Sequence, residues 1–444
     1  MIEIRAVGGY GEVGKNMTAV KVDDEVVIFD MGLHLPNYIK YTEEEGETVV
    51  KLSKKALMKV EAVPNDNMLD DWAHMVKAII PSHAHLDHVG AIPYLSHKYN
   101  CPVIGTPFTI SVIRAILKDE RIKLAGPLKV LNPNASMQLT DKLKVEFINM
   151  THSTPQTVMV ALHTKYGIFL YCNDFKLDNN PTLGKQPNYE ALQAAGKKGV
   201  VAAVIDSLYC YERVKCPSEL VAKEMLKDVM LGVHSKGHAV IVSTFSSHIA
   251  RLKSITQFAK QLNRKVVFLG RSLAKYINAA KEAKIIDLSK EGEVVGFARH
   301  IKAKLELIEK KGAEKFLIVA TGHQGEPKSV LSKMVKSILP FHFCADDHVV
   351  FSCKTIPTKI NEDLRAILEK DLKAAGIRIF KDIHVSGHGG YEDIRDLLKM
   401  INARHVIPAH AEQKGVDAFV ELAKELGYDH RTIHALKNGQ SLIL

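Results

Sequence analysis

The sequence predicts an α/β protein with one domain inserted into another. Three observations carry this. Short Val- and Ile-rich strands alternate with amphipathic helices along most of the 444 residues. Residues 208–372 hold a separate run of that alternation (HAVIVST, SHIARLKSITQFAKQL, KVVFLG, RSLAKYINAAKEA, KFLIVATG), the pattern of a small parallel sheet with helices on its faces. On both sides of the run, histidines and aspartates follow apolar strands in a common style. The expected division is therefore 1–207, 208–372 and 373–444, with the outer two segments forming one domain.

Composition narrows the class. Charged residues at 25% and hydrophobic ones at 46% describe a soluble globular chain. No window approaches the ~18 consecutive apolar residues of a membrane span, so no membrane partner is expected. The N-terminus enters a strand at once, without the pattern of a signal peptide. Six scattered cysteines without C-x-x-C spacing read as reduced thiols, and the expected location is cytoplasmic. The formal charge of +10 lies wholly in residues 208–372, where 28 Lys and Arg face 18 Asp and Glu. A polyanionic partner explains such a block; a solvated basic face is the plainer alternative.

In chain order, residues 2–8 and 17–31 read as strands, the second broken by a turn at Asp23-Asp24. Gly9, Gly11 and Gly14 between them spell G-x-G-x-x-G, and Gly9 to Asn16 nearly spells a P-loop. Both nucleotide motifs need a helix next, and the strand-like MTAVKV follows instead, so the nucleotide reading fails. Residues 36–71 read as a long, irregular, partly acidic insertion. The apolar segment 76–80 is a strand running into the key loop, and 90–99 reads as a helix leaving it.

That loop holds His83, His85, Asp87 and His88 as H-x-H-x-D-H. Imidazoles and carboxylates together suit zinc or a similar divalent ion. Four ligands are too many for one catalytic ion that keeps a position open for water, so two ions sharing the loop are expected. A histidine-rich surface loop would explain one such residue better than four. His152 (INMTHSTPQT), Asp174 (IFLYCNDFKLD), Asp206 (AVIDS), His388 (IHVSGHGG) and His410 (VIPAHAE) each stand at or just past an apolar strand. Any one alone reads as a capping, core or surface residue.

HAHLDH followed by VGAIPYL resembles the second motif of the metallo-β-lactamase superfamily. The resemblance implies an αβ/βα sandwich with a dinuclear metal site at one edge. Asp30 (IFDMG), His152 and Asp174 fall on that superfamily's first, third and fourth motifs, and Asp206, His388 and His410 match motifs A, B and C of its β-CASP group. The inserted α/β run is then a β-CASP domain. GGYGEVGKN, TFSSHIARL, GRS, TGHQGEPKS and HVSGHGG together resemble ribonuclease J over essentially the whole chain. With 34 residues after His410, the match is to the shorter archaeal type.

The family pattern implies roles. His83, His85 and His152 hold one ion, Asp87, His88 and His410 the other, and Asp174 bridges; Zn2+ is expected, with Mn2+ as the alternative. Asp30 orients a ligand imidazole. Two ions about 3.5–4 Å apart activate a water at neutral pH and clamp the attacked phosphate. Catalytic roles fall to His388, as general acid to the leaving oxygen, and to Asp87. A swap, His410 as acid and His388 as ligand, stays open. His384, Val385, Ser386, Gly387 and His388 are expected to grip a 5′-monophosphate, with Gly387, Gly389 and Gly390 letting successive N–H groups surround it. A glycine turn that merely seats His388 is the alternative. Ser247 and His248 are expected to touch RNA, and the basic insert to close over the strand; Arg251 and Arg271 read as surface charge. The implied activity is 5′→3′ exoribonuclease action on 5′-monophosphorylated single-stranded RNA, releasing mononucleotides in RNA processing or decay. A β-CASP endoribonuclease and an inactive metal-stabilised RNA-binding scaffold are the alternatives. A small-substrate hydrolase would leave the basic insert unexplained. A homodimer and association with other RNA-decay factors are expected on resemblance alone.

Overall fold

A computed structural model describes residues 1–44, 52–356 and 358–444. The chain forms two compact units, 1–179 with 185–216 and 386–444, and 180–184 with 217–385.

The first unit has two sheets. One runs in the order Ser441–Ile443, Ile2–Gly8, Met17–Val22, Glu25–Phe29, Val76–Ile80, Val103–Gly105, Leu128–Val130. The other runs His405–Ala409, Val200–Asp206, Gly167–Cys172, Val158–Thr164, Lys144–Asn149, Ser136–Gln138. They face each other through a core that includes Ile4, Val20, Phe29, Phe147, Val160 and Phe169. Behind the second sheet a further core is built with helices Tyr189–Lys198, Tyr391–Ile401 and Gln413–Glu425. Strands covered on both faces read as continuous apolar runs, hence EVVIF and AVID. This is the expected sandwich.

Two local expectations are corrected. The segment 36–71 is not irregular: helices Leu35–Glu44 and Lys54–Lys59 and the 3-10 turn Asp66–Leu69 occupy much of it, with the Ser53 hydroxyl capping the second helix through Ala56 N–H. Residues 45–51, part of its acidic stretch, lie outside the described residues. Nor is 90–99 one helix. A turn of helix starts earlier, at Leu86–Val89, and Ile92–Leu95 and Ser96–Lys98 follow as separate pieces. Pro93 lacks the N–H that would continue the first piece, so it opens a new one.

The second unit is a six-stranded sheet, parallel throughout, in the order Gly292–Val295, Lys265–Leu269, Phe316–Ala320, Val240–Ser243, His348–Phe351, Arg378–Phe380. Its last strand lies beyond 372, and the unit runs from 217 to 385 rather than 208 to 372. A three-residue strand that opens on Arg gives periodicity too little to register. Arg251 also departs from expectation: it is 0% exposed, not surface charge. Its Nε and Nη2 donate to both Glu219 carboxylate oxygens at 2.6 and 2.8 Å. Nη1 donates to Ser352 O and Oγ and to Ile383 O. Arg271 is exposed.

Among the described residues no helix is long and apolar enough to cross a membrane. All six cysteines are free thiols, five buried and Cys344 exposed.

Candidate metal centre

The centre is made where strands end. Glu25–Phe29 and Val76–Ile80 are parallel neighbours, and so are Gly167–Cys172, Val200–Asp206 and His405–Ala409. Asp30, the 81–88 loop, Asp174, Asp206 and His410 therefore emerge side by side at carboxyl ends. Asp30, Asp174 and His410 have φ of 56°, 55° and 54°, left-handed backbone that costs a residue with a side chain ~1–3 kcal/mol. Such a residue turns the chain sharply as it leaves its strand. The turn after Asp30 is zipped to the metal loop: Met31 N–H donates to His88 O, Leu33 N–H to Leu86 O and Asn16 N–H to Asp87 O, at 2.8–3.0 Å. A Cβ on Gly32 would lie 1.6 Å from Asp87 O, which makes this a glycine position.

Two sets of donors converge on Asp174. One is His83, His85, His152 and Asp174; the other is Asp87, His88, His410 and Asp174. Metal bonds of ~2.0–2.1 Å in a tetrahedron put neighbouring ligand atoms about 3.3–3.4 Å apart. In the first set His85 Nδ1 lies 3.1 Å from both His83 Nε2 and His152 Nε2. Asp174 Oδ2 lies 3.4 and 3.6 Å from those two Nε2 atoms. The second set is more open. Asp87 Oδ2 is 3.5 Å from His88 Nε2 and 3.9 Å from His410 Nε2, and Asp174 Oδ1 is also 3.9 Å from His410 Nε2. Asp174 Oδ1 is buried with no hydrogen-bond partner, a costly state for a carboxylate oxygen unless a cation meets it. Spacing, donor chemistry and that orphaned oxygen all fit divalent ions.

The rings are aimed by what holds their outer nitrogens. His88 Nδ1–H donates to Asp30 Oδ2 at 2.7 Å, and His152 Nδ1–H to Gly387 O at 2.8 Å. His83 Nδ1 lies 3.0 Å from Ser82 Oγ, itself bonded to Asp30. Asp30 further accepts from Ser82 N–H and Tyr171 O–H. Each ring thus turns Nε2 inward, the arrangement that fixes a ligand tautomer. Burial holds His83 and His152 well below the usual imidazole value and pushes His85 down to about 4, leaving neutral lone pairs. Burial also opposes charge on His88 and His388, but the carboxylates outweigh it. Asp174, Asp30 and Asp87 raise His88 well above its usual value, and Asp206 and Asp174 raise His388 to about 9. The pocket's own field calls for positive charge.

His388 and His410 lie stacked with ring centroids 5.5 Å apart, yet their backing differs. His388 Nδ1 meets the Asp206 carboxylate at 2.8 Å, and its Nε2 stands 3.9 Å from Asp174 Oδ2. His410 Nδ1 meets the neutral Asn16 amide, with Oδ1 at 3.0 Å. Asn16 also touches His88 Nε2 and accepts from Asn173. Asn16 was missed as a site residue. Its signal was the GGYGEVGKN loop, where it reads only as the wrong ending of a P-loop; in the structure a strand, Met17–Val22, follows it.

The glycine-rich segment differs from expectation. The N–H groups of His388, Gly389 and Gly390 are already bonded, to Ser386 Oγ, Phe175 O and Asp393 Oδ2. Those of Val385, Ser386 and Gly387 have no protein acceptor among the described residues. Val385 is 6% exposed, so its side chain serves packing. In the second unit Ser247 and His248 are buried, at 7% and 3% exposure, and His248 Nε2 lies 3.4 Å from Glu219. His384 is pushed down to about 2, by burial first and by Arg251 second.

A two-sheet sandwich with this donor set at its strand ends, and a parallel α/β unit inserted in its chain, is a metallo-β-lactamase fold of the β-CASP group. Residues 74–206 match the metallo-beta-lactamase superfamily, 237–369 the beta-CASP domain of ribonuclease J, and 377–433 the Zn-dependent metallo-hydrolase RNA specificity domain. The chain is 43% identical over 443 residues to ribonuclease J of Methanocaldococcus jannaschii, covering 99% of this chain and 98% of that one. It is 39% identical to ribonuclease J of Pyrococcus abyssi, covering 96% and 94%. A solved protein of unknown function from Enterococcus faecalis shares the fold over the full length of both chains, with a TM-score of 0.65 at 15% identity. The chain belongs to the ribonuclease J family.

Proposed function

We propose that this chain is a metal-dependent ribonuclease that works 5′→3′ on single-stranded RNA, prefers a 5′-monophosphate and releases mononucleotides. The observation that carries the reading is the complete, inward-facing donor set around Asp174 in a chain of this family.

His83, His85 and His152 would hold one divalent ion and Asp87, His88 and His410 a second, with Asp174 available to both; the donor set suits zinc, with manganese the alternative. When bound, such ions supply the Lewis acidity that makes water a nucleophile at neutral pH and offsets charge on the phosphodiester. The remaining work belongs to side chains. Asp30 and Asn16 keep His88 and His410 oriented. The Asp206 carboxylate favours a protonated His388, and a neutral amide gives His410 no such support, so we assign His388 the proton for the leaving 3′ oxygen. Ser386 and Gly387, through their N–H groups, are the proposed grip on the terminal phosphate; a phosphate held beside the metals would measure off one nucleotide per cut.

One RNA prepared with a 5′-monophosphate, 5′-triphosphate or 5′-hydroxyl, and labelled at either end, tests this. Mononucleotides appearing first from the 5′ end, fastest from the monophosphate and absent with His388→Ala, are the expected result. Internal fragments indifferent to the 5′ group would replace it with the endonuclease reading. No cleavage with zinc or manganese supplied would leave the scaffold.

A further inference from the structure

The parallel sheet of the second unit has two ends with different chemistry. At the carboxyl ends of its strands come TFSSH, GRS, TGHQGEP and SCKT, after Val240–Ser243, Lys265–Leu269, Phe316–Ala320 and His348–Phe351. Open parallel sheets usually take ligands at that end. The opposite end holds a cavity of about 410 Å³, where Lys265 and Phe316 stand in register at the start of neighbouring strands. Its lining includes Lys260, Arg264, Lys265, Lys311 and Lys315, five cations and no carboxylate.

Helix ends account for only two of these. Lys260 and Lys311 lie in the last turns of Ile249–Gln261 and Ala298–Lys311, where the helix dipole favours cations. Lys265 opens a strand and Lys315 ends the 3-10 turn before another, so neither has that reason to be there. Arg264 is 8% exposed, and its Nη1 and Nη2 donate to Ser235 O and Oγ, His238 O and Phe316 O. Its charge is thus fixed in the wall by neutral acceptors. Lys260 pairs with Glu291 and Lys315 comes within 3.9 Å of Glu314, whereas Lys265 and Lys311 have no ion pair among the described residues. A concave surface with a buried cation and unpaired lysines gains from an incoming anion. Its volume falls in the ~300–1,000 Å³ range of small-ligand sites, enough for a nucleotide.

We propose that this cavity is a second phosphate-binding surface, which holds single-stranded RNA through phosphates that short RNAs do not have. Lysines act as point charges that hold phosphate without reading sequence, as a nuclease acting on many RNAs requires. A five-residue strand at about 3.3 Å per residue separates the two ends of the sheet by roughly 17 Å, so only an RNA of several nucleotides can span both. The proposal rests on the ribonuclease reading, and its test is separable from it.

The test compares the full-length chain with its Lys260→Gln/Lys265→Gln/Lys311→Gln/Lys315→Gln variant. Affinity for a cleavage-resistant phosphorothioate RNA, as a 30-mer and a 4-mer, is measured by fluorescence anisotropy across a salt series. Each lost phosphate contact lowers the slope of log K against log salt by about 0.7 on single strands, so two to four contacts lower it by about 1.4–2.8. That drop is expected for the 30-mer, with the 4-mer unchanged. An unchanged 30-mer slope overturns the proposal and leaves the cavity to solvent or an acidic protein; so does an equal drop for both lengths, which would be a general charge effect. Absence of 30-mer binding by the unaltered chain overturns it as well. If the slope changes as expected while the unaltered chain cuts RNA only internally, the exonuclease reading fails and this one stands.

Discussion

Replacing Asp206 by Asn separates the proposed general acid from the proposed metal ligands. Asp206 is 2% exposed and accepts two bonds, from Leu208 N–H on Oδ1 at 2.9 Å and from His388 Nδ1 on Oδ2 at 2.8 Å. An amide has one oxygen for those two donors. If the oxygen stays with His388, a charge-assisted bond becomes neutral, about 1–2 kcal/mol, and the partly buried Leu208 N–H loses its partner. If it stays with Leu208, the NH2 group faces His388 Nδ1 and excludes a proton there, and the whole contribution of an acid is lost, about 10²–10⁴ in rate. The expected outcome is that Asp206→Asn and His388→Ala each cut single-turnover RNA cleavage by about 10²–10⁴. A nucleotide p-nitrophenyl ester, whose leaving group needs no proton, should slow by less than about tenfold in both. Metal content by mass spectrometry stays that of the unaltered chain. Equal losses on the two substrates, or a missing ion, would refute the assignment and make His388 the ligand and His410 the acid.

Other expectations follow from the same geometry. Asp174→Asn, which leaves one carbonyl oxygen between two donor sets, should lower metal content in both and abolish cleavage; full metal content would remove Asp174 from its bridging place. Arg251→Met strips a buried carboxylate of its bidentate partner and should cost about 3–5 kcal/mol in denaturant unfolding of the second unit, with Glu219→Gln/Arg251→Met recovering much of it. Burial alone would raise the Glu219 pKa, but His248 and Arg251 hold it well below its ordinary 4.5. Its contribution to stability is therefore present above the unfolded value and lost as pH falls towards the folded one. Acid unfolding of that unit should accordingly shift to higher pH in Arg251→Met, and an unshifted midpoint would count against the pair. Chelation should lower the melting temperature, because ions that bind only the folded centre stabilise it by mass action.

Much of this was legible because the donors keep a simple grammar: an apolar strand, then a histidine or aspartate at its carboxyl end. H-x-H-x-D-H compresses four of them into six positions, and His152, Asp174 and His410 repeat the form singly. What escaped depends on partners distant in sequence. Asn16 reads as a loop polar residue until Asp87, His88 and His410 surround it. Arg251 sits among Ile249, Leu252 and Ile255 on a helix, so its burial was open to periodicity, but the carboxylate that permits it lies 32 residues away. In the glycine-rich segment the bonds already made by Gly389 and Gly390 N–H were not legible, because glycine content reports freedom of approach and not which N–H groups are bonded. The helices of 36–71 were hidden by Pro, Asn and acidic residues that suggest loop in any local reading.

The left-handed turn at His410 also sets a clock. Asp174 and His410, which close the second donor set, are separated by roughly 240 residues, including the whole of the second unit. At 5–20 residues per second a ribosome needs about 12–48 s to cross that interval. Throughout it the emerging chain carries the first set but lacks His410, and until its last 22 residues it lacks His388 as well. Until His410 has been made the second donor set is incomplete, and the strand His405–Ala409 delivers its last member.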